Sequence, residues 1–236
     1  MKNKFIILGV LLLTSCESIT TSISLIPSIT IPSSITTSTS ISTTISNTTS
    51  ENITNTLNTI TPPLLNDKKK IKIYLNPSVQ KGNLYYNKVN TEAEMMNKVS
   101  NEIYTRLSND SRFIVYHNNR YLNLKDSIQE SNSLNVDYHI ALHTNAGGGS
   151  GSEAYYGTNS YFANHILNSF NKYHTFKNRG VKNGNHLYEI KNSTAKNKAL
   201  IEFLFHDNKQ ESEFIIKNYV VLALSICEAL YDLVKE

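Results

Sequence analysis

The run Ala199-Leu200-Ile201-Glu202-Phe203-Leu204-Phe205-His206 restricts the fold more than any other stretch of the chain. A short, almost unbroken apolar run reads as a strand buried on both faces, not as the alternating strand of a half-solvated sheet. A sheet covered on both faces needs a layer of helices on each side. Inside this run stands Glu202, and a carboxylate is almost never buried unless it is paired or bound to a metal. Two readings stay open from the residue alone. Glu202 escapes to solvent or meets a Lys or Arg at the strand end, or it is partly desolvated with a raised pKa, as a general base near neutrality requires.

The neighbouring segments alternate in kind, as a layered α/β domain demands. Ile71-Lys72-Ile73-Tyr74-Leu75, Phe113 to Tyr116, Tyr138 to His143 and Glu153 to Tyr156 read as strands. Thr91 with Glu94 forms a capping box, and Met96, Val99, Ile103 and Leu107 recur at helical spacing behind it. Glu92 sits one turn before them on the same face, whereas Glu94 has its work at the cap. Leu122 to Glu130 and Tyr161 to Tyr173 are expected as helices, and Asn208 with Glu211 starts a long one ending near Val234. Arg179-Gly180-Val181-Lys182 is expected as loop, and His186-Leu187-Tyr188-Glu189-Ile190 as a further strand. The expected fold is α/β, a single twisted, largely parallel sheet with helices on both faces, over residues 68–236.

Before residue 68 the composition changes completely. Residues 17–67 are dominated by Ser, Thr, Ile and Asn, with no aromatic residue and with Pro27, Pro32, Pro62 and Pro63 as breakers. Too little large apolar surface is available to offset the entropy of ordering, so a flexible spacer is expected. Residues 1–16 carry Lys2 and Lys4, an apolar core from Phe5 to Leu13, and then Thr14-Ser15-Cys16. The apolar run is too short for a transmembrane helix and suits an export signal. Its end resembles the bacterial lipoprotein box, which implies lipidation of Cys16 and anchoring to a membrane of the cell envelope. Cys227, inside the last helix, reads as a small buried hydrophobe, and a disulfide with Cys16 is not expected. The 23 Lys and Arg exceed the 19 Asp and Glu by a net charge of +4 without forming a stripe, so nucleic acid is not an expected partner.

Chemistry concentrates where a strand delivers His143 to the start of Gly147-Gly148-Gly149-Ser150-Gly151. In open α/β sheets, ligands bind outside the carboxyl ends of the strands. Imidazole and carboxylate together suit zinc, so His143 and Glu92 are candidate metal ligands with Glu202 near them. Alone, each has a plainer role: His143 as a hydrogen-bonded structural histidine, and Glu92 as a first-turn acid favoured by the helix dipole.

Taken in order, six segments resemble the zinc-dependent N-acetylmuramoyl-L-alanine amidases of the Amidase_3 family across residues 70–236. They are the strand and Pro77 loop, the Thr91-Glu92 helix start, Leu142-His143-Thr144-Asn145-Ala146, Gly151-Ser152-Glu153-Ala154-Tyr155-Tyr156, Arg179-Gly180-Val181-Lys182, and Leu200-Ile201-Glu202-Phe203-Leu204-Phe205-His206-Asp207-Asn208. The resemblance implies cleavage of the amide bond between N-acetylmuramic acid and the L-alanine of the stem peptide. It assigns His143 and Glu92 to zinc and Glu202 to catalysis, and it gives Asn145 and Glu153 a part in shaping the site. One motif departs. Where the family has Asp-Pro-Gly-His-Gly-Gly, this chain has Asn76-Pro77-Ser78-Val79-Gln80, resembling a branch with Ser-Pro-Ser-x-Gln. Val79 cannot bind a metal; Gln80 offers an amide oxygen. The same branch shows His-Leu-Tyr-Glu and Phe-His-Asp-Asn, matching His186 and His206, which are candidates to complete or support the metal site. The missing histidine also leaves open a non-catalytic peptidoglycan-binding or adhesive lipoprotein on the same scaffold. No feature of the sequence fixes an oligomeric state.

Overall fold

Alternation along one strand explains how the domain divides its surfaces. In β3 (Tyr138–Asn145), Ile140 and Leu142 point into the main core while Ala141 points into a smaller cluster on the other side. Strand β6 (Asn197–Phe205) repeats the pattern, with Ala199, Ile201 and Phe203 on the main-core side and Leu200 opposite. Side chains two residues apart share a face. His143 therefore lies on the side of Ala141, and Glu202 on the side of Leu200.

The computed structural model describes residues 69–235. The spacer, the export signal and Cys16 lie outside them. Six strands form one sheet in the order β2-β1-β3-β6-β4-β5. Strands β1 (Ile71–Pro77), β2 (Phe113–His117), β3 and β6 run parallel. Strand β4 (Ser152–Tyr156) is antiparallel to β6 and parallel to β5 (Asn178–Asn183), so the sheet is largely parallel, as expected. The apolar run around Glu202 is the inner strand between β3 and β4.

Helices α1 (Glu92–Ser108), α3 (Tyr161–Asn171) and α5 (Lys209–Leu233) cover the main-core face. Met96, Val99, Ile103 and Leu107 of α1 are all buried there, each contributing about 1.5–3 kcal/mol relative to exposure. The capping box forms as read: Thr91 Oγ1 accepts the Glu94 N–H at 3.2 Å, and Glu94 Oε2 accepts the Thr91 N–H at 3.0 Å. Helix α5 packs against α1 and α3 and holds Cys227, buried and unpaired. On the other face lie α2 (Leu124–Ser133) and the single-turn α4 (Tyr188–Asn192). Tyr74 reaches α2 by donating to Glu130 at 2.6 Å, and Ile190 of α4 packs with Ala141 and Leu200.

Two expectations are corrected. Residues 179–182 are part of strand β5, whose half-exposed, polar sequence is tolerated because it is an edge strand held mainly by backbone pairing to β4. Residues 188–190 belong to a helix, not a strand. Leu187 and Ile190 both pack against Ala141 and Leu200, a spacing of three that suits one helical turn as well as a pleat. Asn208 caps α5 as expected, but Glu211 does not complete a box there. It turns inward, accepting the Gly151 N–H at 2.8 Å and the Phe205 N–H at 2.7 Å.

Candidate active site

Three adjacent strands place three titratable side chains abreast. His143 of β3 is in register with Glu202 of β6, and Glu202 is in register with Glu153 of β4. All three lie on the face that α4 covers. From above, α4 adds Glu189; from the sheet edge, the first turn of α1 adds Glu92.

The imidazole of His143 is held between two carboxylates. Its Nδ1 is 3.1 Å from Glu92 Oε1, and its Nε2 is 3.0 Å from Glu189 Oε2. Both acids are buried and His143 is only slightly exposed. Each acid has further support. Glu92 accepts the Thr144 N–H at 3.2 Å and the Asn83 amide at 2.7 Å, while Glu189 Oε1 accepts the Asn76 amide in a short bond. Burial alone would push the His143 pKa down, but the charge of Glu189 and the hydrogen bonds from Glu189 and Glu92 hold it well above the ordinary range. Burial likewise would raise Glu92 and Glu189. The hydrogen bond from His143 to Glu92, and the His143 charge beside Glu189, keep both below the usual carboxylate range.

Glu202 differs from both. Its Oε2 is buried and has no hydrogen-bond partner. Burial raises its pKa to about 7; the His143 charge opposes the rise, and Glu92, Glu153 and Glu189 add to it. Glu202, His143 and Glu189 line one cavity of about 320 Å³, together with Asn76, Val79 and Gln80. Leu122, Leu124, Leu187 and Leu200 give it apolar walls, and the exposed Tyr188 stands at its edge. Glu92 is not part of that lining.

The remaining candidates fall around this centre. Gln80 is exposed on the cavity lining and accepts the Asn83 amide at 2.9 Å, one link away from Glu92. His186 is also exposed, but it meets Tyr155 edge-on with ring centroids 6.0 Å apart and does not line the cavity. The chain at 184–187 turns into α4 and carries its glutamate inward in place of its histidine. Asn145 donates to Glu153 at 2.9 Å, and Glu153 also binds Arg179 at 2.8 Å and Lys182 more closely still. Burial would raise the Glu153 pKa, but these cationic partners hold it low. His206 is buried, stacks on Tyr85 at 5.4 Å, and has Nδ1 within 3.0 Å of Thr144 Oγ1. It steadies the residue that follows His143. The glycine loop is tied to the residues just after β6: Gly147 and Gly148, both at positive φ, donate their N–H groups to Asp207 Oδ2 at 2.7 and 2.8 Å.

Glu189 is the functional candidate that sequence reasoning missed. A signal existed, because Glu189 is an acid flanked by Leu187, Tyr188 and Ile190. It was obscured by reading the segment as a strand.

No curated protein sequence matches the chain. The family model described as N-acetylmuramoyl-L-alanine amidase matches residues 76–232. Among solved structures, the chain is similar to the catalytic domain of CwlV, an N-acetylmuramoyl-L-alanine amidase from Bacillus (Paenibacillus) polymyxa var. colistinus. That match has a TM-score of 0.64 and 18% identity over 70% of this chain and 98% of the other. An N-acetylmuramoyl-L-alanine amidase from Clostridium difficile 630 matches with a TM-score of 0.64 and 20% identity, over 71% and 98% of the two chains. The catalytic domain of the CD27L endolysin, which targets Clostridia Difficile, matches with a TM-score of 0.57 and 24% identity, over 69% and 97%.

Proposed function

The chain belongs to the N-acetylmuramoyl-L-alanine amidase family, and from that premise we propose a zinc-dependent peptidoglycan hydrolase in which Glu202 is the general base. The bond cut joins N-acetylmuramic acid to the L-alanine of the stem peptide.

Donor chemistry supports zinc here. Zinc takes nitrogen and oxygen ligands at about 2 Å, so two neighbouring ligands of a tetrahedral site lie about 3.3 Å apart. His143 with Glu92, and His143 with Glu189, both come near that spacing. Among the described residues, no three His, Cys, Asp or Glu side chains form a ready-made metal site. The two acids meet opposite edges of one ring, which accounts for this: a single ion takes one ring nitrogen and therefore one of the two acids. His143 would hold the ion with one of these carboxylates, and Gln80 lies within the same cavity lining. Bound zinc supplies Lewis acidity, polarising the amide carbonyl and lowering the pKa of water.

The protein's own groups supply the proton transfers. Ionised Glu202 accepts the proton of the attacking water at Oε2 and returns it to the departing L-alanine amine. A carboxylate with a pKa near 7 suits both directions of transfer at neutral pH. Apolar walls from Leu122, Leu124, Leu187 and Leu200 fit the methyl groups of the lactyl and alanyl units on either side of the bond. The lone buried Oε2 of Glu202, facing the same cavity as His143, carries this reading. Glu202→Ala is expected to abolish release of stem peptides from purified peptidoglycan; unchanged release would contradict the assignment.

We further propose that Cys16 is lipidated and that residues 17–67 form a tether, letting the domain 68–236 reach the wall from a bacterial membrane. The signal-like residues 1–16 and the Ser/Thr-rich segment, which carries only Glu17, Glu51 and Asp67 as charges, support this arrangement.

A further inference from the structure

Tyr121 holds a backbone conformation that its own side chain makes costly. Its φ is +55°, in the left-handed region where a bulky residue is a steric outlier and glycine is not. Packing does not account for the choice. Tyr121 is 43% exposed, and among the described residues no ring or cation lies against it except the Lys81 ammonium, 5.5 Å from the ring centroid. The buried Asn118 enforces the conformation. Its Oδ1 accepts the Leu122 N–H at 2.8 Å and its Nδ2 donates to the Leu122 carbonyl at 3.0 Å, closing the chain between them into a tight loop. The same amide reaches Asn76 Oδ1 at 3.4 Å, and Asn76 in turn donates to Glu189. One run of hydrogen bonds therefore fixes the loop relative to the site. Backbone strain that its surroundings over-determine in this way clusters where a side chain serves a ligand.

Position along the chain places that ring at the rim of the cavity. Leu122, next after Tyr121, and Gln80, just before Lys81, both belong to the lining. A cavity of about 320 Å³ with leucine walls suits the amide to be cut and the methyl groups beside it, not a row of pyranose rings. The glycan that carries the amide must therefore run outside, over the rim. A pyranose presents axial C–H groups on its faces, which a flat aromatic ring can cover while the sugar hydroxyls stay in water. Resting on the amidase reading above, we propose that Tyr121 is a glycan-binding residue, its exposed ring stacking on a sugar of the strand that bears the scissile amide. Lys81 steadies one face of the ring, and the other is offered to the sugar. Because the Asn118 clamp presents the ring in advance, binding does not have to order the loop. The stem peptide, with charged and amide groups along its length, gains little from the same surface.

The test uses the full chain and two probes titrated by calorimetry: glycan strands stripped of their peptides, and free stem peptide. Tyr121→Phe should bind the glycan as wild type does, because the ring face is kept. Tyr121→Gly should bind it roughly tenfold more weakly, on the scale of one lost stacking contact, with affinity for the stem peptide unchanged. In denaturant, Tyr121→Gly should unfold at no lower concentration than wild type, because glycine takes the left-handed conformation without strain. A tyrosine kept for packing would instead lose stability when truncated. Glycan that wild type does not bind, equal glycan affinity in Tyr121→Gly, a loss confined to the stem peptide, or a weakened fold in that variant overturns the proposal. Each leaves the amidase reading standing as long as wild type releases stem peptides from purified peptidoglycan. A wild-type chain that neither binds the glycan nor releases stem peptides overturns both.

Discussion

At the scale of single residues, the site is a set of acids sorted by environment. Glu92 and Glu189 are kept ionised by His143, Glu153 by Arg179 and Lys182, and Glu202 alone is left without a hydrogen-bond partner at Oε2. A folded-state pKa of about 7, against an unfolded value near 4.5, means that the folded protein holds the Glu202 proton more tightly. Stability from this group is complete below the unfolded pKa and is lost as pH rises through the folded one. Glu202→Gln removes the cost of ionisation, so metal-free variant and wild type should match in acid. They should then diverge as pH rises from about 4.5 to 7, reaching an advantage for the variant of about 3 kcal/mol. Denaturant unfolding at a series of pH values checks this; equal stability above pH 7 would show that Glu202 ionises without penalty. Glu202 and His143 were legible in sequence because each interrupts an apolar run. The raised pKa of Glu202 was open to sequence as well, because burial is its largest cause; the part added by Glu92, Glu153 and Glu189 was not, since register and α4 bring those acids together.

At the scale of elements, strand ends and helix starts do the positioning. Glu211, in the first turn of α5, binds Ser150 and the N–H groups of Gly151 and Phe205, tying the glycine loop to the end of β6. Gly151 must stay a glycine, because its φ is +101° and an added Cβ would meet the Lys177 carbonyl oxygen at 2.1 Å. Glu211→Gln turns one acceptor into a donor that faces a buried N–H. It should cost about 2–3 kcal/mol by denaturant unfolding, and a change below about 0.5 kcal/mol, the usual size of a surface effect, would show that the loop is held by other contacts. The capping box of α1, the buried stripe behind it and the inner strand β6 were all readable, because burial and local hydrogen bonding impose a period on the sequence. Strand β5 was not, because an edge strand with half-exposed side chains carries no such period. Helix α4 was not either. Five residues are too few to separate a helical turn from a pleat, and that misreading concealed Glu189.

At the scale of the whole molecule, the family match covers residues 76–232, a catalytic domain whose substrate lies outside the cytoplasmic membrane. The tether reading concerns residues 1–67 and makes its own prediction. Wild-type protein expressed in a bacterium should incorporate labelled fatty acid and partition into a detergent phase, and Cys16→Ser should do neither. Incorporation that persists in that variant would place the lipid elsewhere. The central claim, that this cavity cuts the muramyl–alanine bond by way of Glu202, is tested most directly by identifying the products. Purified peptidoglycan is incubated with the zinc-loaded full chain or its Glu202→Ala variant, and the products are analysed by mass spectrometry with labelling of new amino groups. The account predicts new free amines on L-alanine and glycan strands with bare muramic acid from the wild type, and neither from the variant. New amines on any other residue, or equal release by both proteins, would contradict it.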